Sequence, residues 1–115
     1  MTESREEFIK RLSTVGMGAR ESIQVMLGAV VYDVREQTMR KEFADNEMDN
    51  VIAFHDAAEK LWRDMMATAP PLDGPEMVER LTRLRDACTG PLAQFHRKLE
   101  RGVEQAKHFL NQREE

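Results

Sequence analysis

Residues 23–34 read Ile23-Gln24-Val25-Met26-Leu27-Gly28-Ala29-Val30-Val31-Tyr32-Asp33-Val34, and their patterning decides the fold class. Apolar side chains return at Ile23, Met26, Val30 and Val34, steps of three and four that place them on one helical face. The same stripe extends upstream through Phe8, Leu12, Val15 and Ala19. Its spacing is close to an 11-residue repeat, the signature of nearly straight packing. Ser4 and Glu7 form a Ser-x-x-Glu capping box ahead of Phe8-Ile9, which marks a helix start. Gly16 and Gly18 interrupt the stripe, each costing about 1 kcal/mol relative to alanine inside a helix.

Working outward, the next boundary falls at Ala44-Asp45-Asn46, where Asp45 or Asn46 can cap a second helix. That helix carries Met48, Val51, Ile52, His55, Ala58, Leu61, Trp62, Met65, Met66 and Ala69 on one broad face and stops at Pro70-Pro71. Asp73 is a plausible cap for a third helix, with Pro75 acceptable in its first turn and Met77, Leu81, Leu84 and Cys88 in line. Thr89-Gly90-Pro91 ends or kinks it. A last stripe runs through Leu92, Phe95, Leu99, Val103, Ala106 and Leu110. Six acid-to-base pairs at i,i+4 (Glu6/Lys10, Glu7/Arg11, Asp56/Lys60, Glu59/Arg63, Glu76/Arg80, Glu79/Arg83) lie in the orientation that favours helix.

These signals predict an all-α, antiparallel four-helix bundle, with helices about 5–43, 46–69, 75–89 and 91–112 in a single domain spanning 1–115. An unbroken first helix would be about 60 Å long, whereas a compact domain of this size has a radius of gyration of about 13 Å. The first helix therefore bends at Gly16-Gly18 or is covered by another subunit. Gly28, Ala29, Val30 and Val31 leave little polar surface in its middle. A homodimer seam is accordingly expected on Ile23, Met26, Val30 and Val34.

Composition narrows the function classes. With 41% hydrophobic and 33% charged residues, the 115-residue chain is apolar enough for one core and too charged for a membrane protein. The longest apolar run, Met26 to Tyr32, falls short of the 18 to 20 or so residues of a membrane-spanning helix. Met1 to Glu7 places acid where a signal peptide carries a basic flank, and the lone Cys88 has no disulfide partner, so a cytoplasmic location is expected. A net charge of −4 disfavours nucleic acid as a partner. Six acids and no Lys or Arg lie between Glu42 and Glu59, the composition of a solvated helix entrance or of a surface for a basic partner.

Several residue sets bear on chemistry. His55 and Glu59 stand one turn apart, the spacing of helical metal sites, and with His96 they form the candidate ligand or metal set. A pocket lined by Phe54, His55, Trp62 and His96 is the matching small-ligand reading. Cys88 sits on an apolar stripe, where a thiol behaves as a small hydrophobe.

Asp45 to Asp56 loosely resembles an EF-hand loop, with oxygen-bearing residues at positions 1, 3, 5 and 12, although Asn50 stands in place of the turn glycine. Arg101 and His108 resemble the Arg/His motif of HEPN-type ribonucleases, which are small helical bundles and often dimers. The likeness covers eight residues, and Gly102 stands where that family prefers a polar residue. It implies His108 acting on a ribose hydroxyl beside a phosphate-binding Arg101.

No cofactor is implied by any complete motif. Eight methionines are the compositional oddity, and Met65 and Met66 beside Trp62 mark the expected partner-binding surface. The resulting expectation is a non-catalytic protein-interaction module, an adaptor, chaperone or regulatory subunit. The alternatives are a small-ligand- or metal-binding bundle and a HEPN-like ribonuclease.

Overall fold

The computed structural model describes residues 18–67 and 72–114, which form four α-helices and no strand. These are α1 (Gly18–Met39), α2 (Met48–Met66), α3 (Gly74–Asp86) and α4 (His96–Glu114), with short 3-10 turns at Asp45–Glu47 and Gly90–Phe95. The bundle class expected from the periodicity is present. The Ser4/Glu7 capping box, the stripe from Phe8 to Val15, Gly16 and Pro70-Pro71 lie outside the described residues.

Each boundary has a local cause. The first helix was expected to reach residue 43, but α1 ends at Met39. Lys41 takes a left-handed conformation with φ of 58°, its N–H bonds the Thr38 carbonyl at 3.0 Å, and the Glu42 N–H bonds that of Gln37 at 2.9 Å. This is a Schellman closure with lysine where glycine is usual, so the sequence carries no stop signal there. Phe43, just beyond, is buried.

The segment 45–56 is helical from end to end, a 3-10 turn leading into α2, and not a cation-binding loop. Neither expected cap forms: Glu47 holds the cap position of α2 with no side-chain hydrogen bond, and Asp49 stands in the first turn. Those acids sit at the positive end of the helix dipole, where negative charge is stabilising. Asp73 does cap α3, its side chain accepting the Glu76 N–H at 2.8 Å with Pro75 in the first turn. Gly90, at φ of +57°, turns the chain after Thr89, so Gly90-Pro91 is a break and not a helix kink.

Ile23, Leu27, Val30, Val31 and Val34 of α1 enter one core with Val51, Phe54, Ala58, Leu61 and Met65 of α2, Met77, Leu81 and Leu84 of α3, and Leu99, Val103 and Ala106 of α4. Phe54 stacks on Phe95 with ring centroids 6.1 Å apart. Helix α1 packs on α2 and α4, and α3 packs most extensively on α4, while α2 and α3 meet only sparingly.

Direction follows from the paired residues. Gln24 of α1 bonds the Met65 carbonyl of α2, Gly28 approaches Trp62, and Arg35 reaches His55, so residue numbers rise along α1 as they fall along α2. Likewise Ser22 bonds Gln105, Met26 approaches Gly102, and Gln37 exchanges two 2.9 Å amide hydrogen bonds with Gln94. Arg20 and Gln24 also donate to the Met65 carbonyl, closing the C-terminal end of α2 from the neighbouring helix.

Candidate interaction face

Among the described residues, the exposed large hydrophobics are Val25 (51%), Tyr32 (62%) and Met39 (79%) on α1, with Ile52 (49%) and Met66 (54%) on α2. Their spacing is regular. Val25, Tyr32 and Met39 are seven residues apart, and so are Ile52, Glu59 and Met66. A seven-residue step returns to nearly the same side of an α-helix, drifting only about 20°.

Both lines flank the outer side of the α1–α2 seam. Gly28 and Arg35, which touch α2, each lie one turn from Tyr32. Glu59 is itself bound by the Arg35 guanidinium from α1 and by Arg63 at 3.4 Å. The register that sets Gly28 beside Trp62 and Arg35 beside His55 brings Val25 level with Met66, and Met39 level with Ile52. The face thus has an apolar pair at each end and a polar centre of Tyr32, Arg35 and Glu59.

Tyr32 donates its hydroxyl proton to Glu36 at 3.0 Å. That bond and the nearby carboxylate raise the phenol above its ordinary pKa.

The residues expected to carry function are distributed differently. Of the expected partner surface, Met66 is exposed, Trp62 is half-buried against the core and Met65 is fully inside it. Ile23, Val30 and Val34, expected at a dimer seam, are buried among the chain's own helices. Met26 is half-buried, with its methyl pointing at Gly102, where a β-carbon would stand only 2.6 Å away. The apolar centre of the first helix is therefore consumed within one subunit. Leu27, absent from the expected stripe, takes the core position beside Ile23.

His55 and Glu59 do share a face, but the Arg35 guanidinium occupies the space between helices where a metal would sit. Its Nε donates to His55 Nε2 at 2.9 Å, and His55 Nδ1 stands 3.1 Å from Asp56. His55 is thereby the Nδ1-protonated tautomer, a donor to Asp56 and an acceptor from Arg35. His96 makes its contact with Glu100 on α4, so it does not complete that set. Among the described residues no group of three or more His, Cys, Asp or Glu side chains is placed to hold a metal ion.

Arg101 and His108 lie exposed on α4, with Glu100 and Glu104 beside Arg101 in a shallow depression. Cys88 is buried, donates to the Leu84 carbonyl at 3.2 Å, and has its pKa pushed up to about 11 by burial, so it is protonated and unreactive near neutrality. No helix among the described residues is long and apolar enough to cross a membrane.

The pocket expected around Phe54, His55, Trp62 and His96 does not form, since Phe54 turns to Phe95 while Trp62 lies over Gly28. Sparse contact between α2 and α3 instead leaves an open groove of about 950 Å³, floored by Phe54, Leu84 and Leu92. Arg80 on its rim bonds Asp64 at 2.8 Å and holds that carboxyl below its ordinary pKa.

The sequence did hold a signal for the α1–α2 face. The apolar side of the second helix is too broad for one core, and setting aside its buried and half-buried members leaves Ile52 and Met66 among the described residues. No protein-family model, curated protein or solved structure matches this chain.

Proposed function

We propose that this chain is a small cytoplasmic protein-interaction module, without catalysis of its own, that presents the outer face of α1 and α2 to another protein surface. One observation carries the reading. The large hydrophobic residues exposed among the described residues fall on two heptad lines beside a single seam. Scattered exposed apolar residues need no explanation, but apolar pairs aligned along one seam about a polar centre have the mixed composition of an interface.

A photo-crosslinking amino acid placed at Ile52, compared with one at exposed Glu79 on α3, tests this in cells. Protein crosslinks from position 52 and few from position 79 support the reading. Equal capture at both positions counts against it.

The α2–α3 groove favours a second reading, a bundle that holds a small ligand on Phe54, Leu84 and Leu92. Native mass spectrometry tests it, through added mass that leaves on denaturation and is absent when Ala57→Trp fills the groove.

A further inference from the structure

We infer that the occupant of the α1–α2 face is a second copy of this chain, related by a two-fold axis crossing the helices at the level of Tyr32 and Glu59. This rests on the interaction reading above and adds the identity of the partner.

The argument is one of self-complementarity. Val25 and Met39 stand equidistant from Tyr32, seven residues to either side, and Ile52 and Met66 stand equidistant from Glu59. In the observed register Tyr32 and Glu59 lie at one level, because the pairs Gly28–Trp62 and Arg35–His55 bracket them on either side. A two-fold axis through that level lays Val25 against the partner copy's Met39, and Met66 against its Ile52. Apolar ends then meet apolar ends, as an isologous interface demands.

Charge follows the same symmetry. Asp56 and Arg63 flank Glu59 at three and four residues and are both exposed, with side chains 71% and 69% accessible. The axis sets each Asp56 within one residue of a position opposite Arg63 on the other copy, one acid to one base on each side. Glu36 comes opposite Gly28, so no like pair arises there. The two copies of Glu59 approach near the axis, each already held by Arg35 and Arg63.

Area agrees. Five large side chains, each about half exposed or more, lie on one face, enough to form the apolar part of a standard interface that takes ~800 Å² from each partner.

Light scattering of the full chain after size exclusion, at micromolar concentration, tests the proposal. The expected mass is twice the 13.3 kDa of one chain. It should return to a single chain in Met39→Glu and in Val25→Glu, with helical circular dichroism and melting temperature kept, since both sites are exposed. Asp56→Arg should weaken the dimer, and Asp56→Arg with Arg63→Asp should restore it. Tyr32→Cys lies on the axis and should form a disulfide-linked dimer under mild oxidation, while buried Cys88 stays reduced.

A monomeric wild-type chain overturns the second copy. If position 52 still crosslinks to other proteins, the interaction reading survives that result; if it captures nothing, both fail. A dimer indifferent to Met39→Glu and Val25→Glu, or a Tyr32→Cys chain that does not couple, overturns the assigned face.

Discussion

A β-carbon on Gly28 would stand 3.2 Å from the indole nitrogen of Trp62, so the closest approach of α1 to α2 is set by the absence of a side chain at position 28. Glycine inside a helix costs about 1 kcal/mol relative to alanine. Gly28→Ala recovers that propensity while displacing the indole by a few tenths of an ångström. The two effects should leave urea stability within about 1 kcal/mol of the parent, with a shifted Trp62 emission. Gly28→Val adds bulk that the indole cannot clear and should lose about 1–3 kcal/mol. A valine variant as stable as the parent would contradict this packing.

Lys41 closes α1 in a left-handed conformation that glycine adopts without steric cost. Lys41→Gly should therefore raise stability by about 0.5–1 kcal/mol in chemical denaturation, one of the few changes expected to strengthen the chain. Lys41→Val, branched at the β-carbon, should weaken it. A loss on replacement by glycine would mean that the lysine side chain makes up more than its backbone strain.

Cys88 supplies a pH dependence whose direction can be stated. Its thiol is raised from an ordinary value of 9.0 to about 11 by burial, so the unfolded chain releases the proton first. The contribution of the neutral thiol is complete below about pH 9 and is lost as pH rises toward 11. Thermal melts across that window should decline more steeply for the parent than for Cys88→Ala. At neutral pH a thiol reagent should label Cys88 only after denaturation, and rapid labelling of the native chain would refute its burial.

How much of this was legible in the sequence depended on whether the determining residues were local. The Asp73 cap, the Pro75 first turn and the α3 stripe were readable because each acts within a few positions of itself. The end of α1 was not, because a lysine in a glycine's conformation carries no compositional mark. The apolar face of Ile23, Val30 and Val34 is legible in the sequence, but periodicity says only that a face is buried and not by which chain, so the expected subunit seam there is instead the chain's own core. Leu27 and Met26 both fit a 3.6-residue period, and the core position at Leu27 is separated from the edge position at Met26, opposite Gly102, by the packing of α4. Arg35 between His55 and Glu59 was equally beyond reach, since its position depends on the register of two separate helices.

The sparse α2–α3 contact has a consequence for how the chain can be divided. Helices α1 and α2 form one hairpin and α3 and α4 another, and the α1–α4 seam is the broad surface between them. That seam has its own specificity, in the Met26 methyl seated at Gly102 and the reciprocal Gln37–Gln94 amide pair. The link from Met66 to Gly74 thus joins two halves that already recognise one another. Severed there and produced as separate polypeptides, they would form a split pair whose reassembly reports chiefly on the α1–α4 seam, with the Phe54–Phe95 stack and the Arg80–Asp64 bond as smaller contributions.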